Sequence, residues 1–217
     1  MKIAIAGGHG KIALLTTKLL AASGHEVWGI VRNPAHAADI EAAGGHALVL
    51  DLEQSDSERL AGELASKSID GVVFAAGAGP GSSAERKFTV DRDGAVLLAD
   101  AAWRAGARRY VLISAMGADD FDPSSDDVFQ IYLRAKSEAD AAVRASELDW
   151  TIVRPGGLTD DPATGTVTLA ESTGRGTIPR ADVAWIVTRL LDSGDAVHRQ
   201  FEAISGSTPI AEALRAL

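Results

Sequence analysis

The chain has 217 residues, enough for one well-packed domain and short for two. Hydrophobic residues make up 46% and charged residues 24%, which excludes a disordered or fibrous chain. A formal charge of −9 argues against a general nucleic-acid surface, and the lack of cysteine excludes disulfides, thiolate metal sites and cysteine nucleophiles.

In chain order, residues 2–7 read as a buried strand. Ile12, Leu15, Leu19 and Ala22 then fall on one helical face, and Gly24 stops the helix. Residues 26–31 form a second strand, 35–43 a small-residue helix ended by Gly44-Gly45, and 47–50 a third strand closing on Asp51-Leu52. Residues 57–65 are helical, and a fourth strand over 69–76 runs into Gly77-Ala78-Gly79-Pro80-Gly81. One long helix is predicted from about 84 to 105, a fifth strand over 109–114, an acidic loop over 117–127, a helix over 128–146 and a sixth strand over 150–154. A loop over 155–165, a short strand near 166–169, a helix from about 180 to 191, a strand over 200–204 and a helix from Pro209 complete the chain.

This alternation predicts an α/β, doubly wound, mainly parallel sheet: a Rossmann fold in a single domain with a small C-terminal extension. The expected cofactor half is about residues 1–80 and the substrate-cleft half about 81–217. No apolar run approaches the roughly 20 residues of a membrane helix. The strand-like start leaves no room for a signal peptide. The expectation is a cytoplasmic monomer or homodimer with a small-molecule substrate and no membrane or nucleic-acid partner.

Gly7-x-x-Gly10-x-x-Ala13 follows a strand and opens a helix. The first glycine permits a tight turn, the second lets backbone approach a diphosphate, and the small third residue lets helix pack on strand. Amides at the helix start then face phosphate. Arg32 ends the second strand, where a NAD-preferring fold usually carries an acid. Arginine there can form a forked pair with a 2′-phosphate, so NADP(H) is the expected cofactor and NAD(H) the alternative. Asp51 and Leu52 are placed to meet adenine or to form a strand-end turn. Ala75, Ala76 and Gly77 are small enough for a cofactor to pass, or for tight packing.

Tyr132 and Lys136 stand one helical turn apart, on the apolar stripe with Ala135, Ala139 and Val143. A lysine beside a tyrosine is expected to lower the phenol pKa and favour proton donation to a carbonyl oxygen. Ser114, ending the fifth strand, can hydrogen-bond the same oxygen. The alternative is that Tyr132 is a core rim residue and Lys136 a partner of Asp140. Arg154-Pro155-Gly156-Gly157-Leu158 offers a backbone shelf for a flat ring, or a tight turn. Asp160-Asp161 reads as solvated, with no metal expected. His9 is expected to act through its backbone amide, while His25, His36, His46 and His198 form no ligand pattern.

Together these residues resemble the atypical short-chain dehydrogenase/reductase family, in its compact NAD(P)H-binding branch (NmrA-like and biliverdin–flavin-reductase-like). The resemblance runs through the glycine turn, Val31-Arg32-Asn33-Pro34, Gly77, Val111-Leu112-Ile113-Ser114, Tyr132 to Lys136, Ile152 to Leu158 and the ending Thr208 to Leu214. It implies that Gly7, His9, Gly10, Lys11 and Ile12 line the diphosphate, Arg32 the 2′-phosphate, Asp51 and Leu52 the adenine, and Ala75, Ala76 and Gly77 the ribose. Lys136 with Pro155, Gly156, Gly157 and Leu158 would border the nicotinamide ribose and ring, and Ser114 and Tyr132 would match the catalytic pair. Three positions depart from the pattern: Ala13 ends the glycine motif, Ala115 follows Ser114, and Asp91 replaces the helix asparagine. The implied activity is hydride transfer from NADPH to a small carbonyl, quinone or flavin-like acceptor. Relatives of this branch also include redox-sensing regulators that bind cofactor without turnover. A sugar-nucleotide epimerase or dehydratase fits less well, because such relatives carry a larger C-terminal substrate region.

Overall fold

The computed structural model describes residues 1–79 and 81–217. Pro80, which the sequence places in the turn after the fourth strand, lies outside them. Strand β1 (Lys2–Ala6) sends Ile3 and Ile5 into the core on one face of the sheet and Ala4 and Ala6 into the core on the other. This is the two-sided burial expected of a central parallel strand. Helix α1 (Lys11–Ala22) follows the glycine turn and buries Ala13, Thr16, Thr17 and Leu20. The expected face was different: Leu15 is exposed. Close packing decides it. A Cβ on Gly45 would lie 2.8 Å from Thr17 Cγ2, so small side chains face inward.

β2 (Glu26–Val31) leads through a 3-10 turn, Pro34–His36, into α2 (Ala37–Ala42), then β3 (His46–Val49), α3 (Ser57–Ser66) and β4 (Gly71–Phe74). The long helix expected next is broken. A single turn, α4 (Ala84–Arg86), passes into a π turn, Lys87–Arg92, before α5 (Asp93–Ala105). The wide turn points Lys87, Val90 and Asp91 inward together. Asp91 Oδ2 there accepts the Ala78 amide at 3.1 Å, which ties the turn to the end of β4.

β5 (Arg109–Ile113), α6 (Val128–Arg144) and β6 (Asp149–Pro155) continue the alternation. The loop after β6 contains a short strand, β7 (Gly157–Thr159), before β8 (Thr166–Ala170). β7 pairs with β9 (Thr177–Pro179), which sequence patterning does not mark. α7 (Arg180–Ser193), β10 (Arg199–Ser205), β11 (Thr208–Pro209) and α8 (Ile210–Arg215) end the chain.

The main sheet has the order β11-β8-β10-β6-β5-β4-β1-β2-β3. From β3 to β10 every pairing is parallel, and β8 joins both β10 and β11 antiparallel. The run β3-β2-β1-β4-β5-β6 is the doubly wound order, with its switch point between β1 and β4. Ligands in such sheets bind outside the carboxyl ends of the strands at that point. One core layer packs α3, α5 and α6 on the sheet, and the other packs α1, α7 and α8. Among the described residues no helix is long and apolar enough to cross a membrane.

Candidate functional site

The glycine turn is shaped by steric need. Gly7 has φ 76°, and a Cβ on it would lie 2.6 Å from Ala76 Cα. A Cβ on Gly8 would lie 2.5 Å from Gly29 Cα. The turn is therefore pressed between the ends of β4 and β2, and only glycine fits. Gly10 caps α1 with no side-chain hydrogen bond, and no acid stands in the helix's first turn. Free amides and an uncompensated helix dipole suit a diphosphate. The His9 ring is stacked on His36 at 3.7 Å between centroids and bonded to Asp39 at 2.7 Å.

A cleft of about 350 Å³ opens beside this turn. Gly7, His9 and Gly10 form one wall, and Arg32, Asp51 and Leu52 another. Ala75, Ala76 and Gly77 line its floor. His36, Glu53 and Arg86 also line it, and the sequence reading missed all three. Asp51 accepts the Glu53 amide at 3.0 Å, so it also caps the turn after β3. Arg86 Nη2 donates to Glu53 Oε2 at 2.6 Å, and Arg32 Nη1 approaches the same oxygen at 3.5 Å. Thr89 donates to Glu53 Oε1 at 2.7 Å. The Arg86 hydrogen bond outweighs burial and, with Thr89, holds the Glu53 carboxyl below the usual glutamate range. Two guanidinium groups thus meet on one carboxylate at the cleft wall. The available signal was Arg86-Lys87, two cations following the glycine-rich turn after β4.

A second group forms where β5 ends. Lys136 is buried, donates to the Ile113 carbonyl at 3.2 Å and stands 3.5 Å from Asp91 Oδ1. Burial disfavours its ammonium, but Tyr132, Asp91 and Asp140 together raise its pKa. The Tyr132 ring has Lys136 Nζ 5.8 Å from its centre and Lys87 Nζ 5.5 Å from it. Among the described residues its hydroxyl makes no hydrogen bond. The expected lowering of the Tyr132 pKa is overturned: burial pushes the phenol up, and Lys136 only partly opposes it.

Ser114 Oγ donates to Asp140 Oδ2 at 2.8 Å, and Arg154 Nε donates to the same oxygen at 2.8 Å. Arg154 Nη1 reaches Asp119 at 2.7 Å, which also accepts from Ser137. Asp140, weighed as a partner for Lys136, instead serves Arg154 and Ser114. Gly156 and Gly157 lie against β9. A Cβ on Gly156 would fall 2.4 Å from the Gly176 carbonyl, which accepts the Gly157 amide at 2.9 Å. Asp160 joins Lys11, at the start of α1, at 2.5 Å to Arg180, at the start of α7, at 2.7 Å.

A doubly wound sheet with an uncapped glycine turn at its switch point defines a dinucleotide-binding protein. The chain belongs to the NAD(P)H-binding family, whose model matches residues 7–194, and is of the atypical short-chain dehydrogenase/reductase type. It is similar to a Bacillus subtilis protein named as an uncharacterized sugar epimerase, YhfK, with 38% identity over the whole of both chains. A solved structure from Bacillus halodurans, named provisionally as an NAD-dependent epimerase/dehydratase, matches with TM-score 0.91 and 34% identity over all of both chains. The oxidoreductase ylbE of Lactococcus lactis matches with TM-score 0.85 and 26% identity, covering all of this chain and 96% of that one.

Proposed function

We propose that the protein is an NADPH-dependent oxidoreductase acting on a small carbonyl, quinone or flavin-like acceptor. Tyr132 carries this reading: a phenol with no hydrogen-bond partner among the described residues, held beside Lys136 at the carboxyl ends of the strands. The turn from Gly7 to Ile12 takes the diphosphate, with His9, Lys11 and Ile12 offering main-chain amides, while the Gly10 amide closes the turn on the Gly7 carbonyl at 2.8 Å. Asp51 and Leu52 border the adenine, and Ala75, Ala76 and Gly77 the ribose. Lys136 and the segment Pro155, Gly156, Gly157, Leu158 border the nicotinamide end. Arg32 receives the 2′-phosphate, and Arg86 adds a second guanidinium on the same wall. Bound cofactor supplies the hydride. A phenol whose pKa is raised stays protonated and acts as a proton donor; the Lys136 ammonium then stabilises the phenolate it leaves. Ser114 reaches the acceptor oxygen by exchanging its bond to Asp140.

The first test is calorimetric titration with NADPH and NADH, repeated on Arg32→Ala. Tight NADPH binding that collapses in the variant supports the cofactor reading; equal binding of both cofactors removes the 2′-phosphate role. NADPH oxidation by carbonyl acceptors should then be lost in Tyr132→Phe. Unchanged turnover there would remove the proton-donor role and leave direct hydride acceptance by a flat ring. The engagement of Ser114 by Asp140 favours a second reading, a redox-sensing protein that binds NADP(H) without turnover. It predicts no oxidation with any acceptor and a partner whose affinity differs between the two cofactor states.

A further inference from the structure

Lys87 is buried, at 8% exposure, on the π turn. Its Nζ donates to the Gly79 carbonyl at 2.9 Å and stands against the Tyr132 ring. Among the described residues no carboxylate lies within 4.0 Å of it. Asp91, one turn on, is engaged elsewhere: Oδ2 takes the Ala78 amide and Oδ1 faces Lys136. An ammonium has three donors, and among the described residues Lys87 uses one on protein. Arg109 shows how this fold buries a cation for structure alone. Its guanidinium donates to three main-chain carbonyls, Leu190, Asp149 and Asp195. Lys87 has no such set, and burying an under-bonded charge is costly without a partner. The Phe129 ring, 61% exposed and 6.0 Å from that of Tyr132, offers an apolar wall beside it.

We infer that the acceptor is an anion: Lys87 binds a carboxylate or phosphate carried by a flat substrate whose reducible group faces Tyr132. This rests on the reading of Tyr132 as the acceptor's neighbour. Nζ stands 5.5 Å from the Tyr132 ring centre, so an acid one aromatic ring away from the reducible carbon suits both groups. Lys87 is then a specificity residue, and its bond to Gly79 holds the ammonium until the acid arrives.

Two matched pairs test this on protein saturated with NADP⁺: 4-carboxybenzaldehyde against 4-formylbenzamide, and FMN against riboflavin. Binding is read by calorimetry, and NADPH oxidation is measured separately. The charged member of at least one pair should bind about tenfold more tightly, as a charge-assisted hydrogen bond allows. The pair that shows it distinguishes carboxylate from phosphate. Lys87→Met should erase the preference while NADPH affinity holds. Lys87→Gln, which keeps a donor for Gly79 without the charge, should do the same and serves if the methionine variant does not fold. Lys87→Arg should keep most of the preference. No preference in either pair, a preference that survives loss of the charge, or equal weakening of charged and neutral members overturns the anion site. Charged preference without NADPH oxidation upholds the site and sinks the hydride reading. Equal oxidation of both members does the reverse.

Discussion

The carboxylate of Glu53 stands where two guanidinium groups converge, so it competes with any phosphate for them. Arg86→Ala should weaken NADPH binding about 10- to 100-fold, the range of a charge-assisted hydrogen bond, and leave NADH within about twofold. Glu53→Gln should act in the opposite direction and raise NADPH affinity several-fold. Titration calorimetry with both cofactors reads both variants. Glu53 also sets an acid limb. Its folded pKa lies below its ordinary value of 4.5 because of the Arg86 hydrogen bond. The stability it contributes is therefore present above that value and lost as pH falls through the folded one. The melting temperature of Glu53→Gln should fall less steeply in that acid window than that of the parent.

At the scale of elements, the strand–glycine–helix unit was legible because its residues are contiguous and its steric demand is local. Gly7→Ala puts a side chain at positive φ and into the Ala76 backbone. A loss of at least about 2 kcal/mol, or roughly 4–8 °C in melting temperature, should result. The broken helix was not legible. A period of 3.6 fits residues 84–105 tolerably, and the extra residue of the π turn appears only through the contacts of Asp91 with Ala78 and Lys136. β9 was missed because three residues beside β7 carry too little pattern to register. The far wall of the cofactor cleft was equally hidden. Glu53 and Arg86 are 33 positions apart, and a buried lysine such as Lys87 reads in sequence like any solvated one. The Asp140–Arg154 pair beneath Ser114 is buried on both sides. Arg154→Met leaves Asp140 without its counter-ion and should cost about 3–5 kcal/mol, seen as a drop of roughly 10 °C in thermal melts.

Over the whole molecule, Asp160 links the start of α1 to the start of α7. The Asp160 and Lys11 side chains are largely exposed, so Asp160→Asn should change stability by less than about 1 kcal/mol. Its larger effect should be kinetic: Lys11 no longer has to leave a carboxylate before meeting diphosphate. Stopped-flow mixing with NADPH should show faster association in the variant. The sheet's two margins have their own consequence. One is β3, four residues long, and the other is β11, two residues long. Neither exposes a row of main-chain groups long enough to template a strand from another molecule. Borders this short disfavour pairing with a strand of another copy, one of the ways native sheets avoid joining edge to edge.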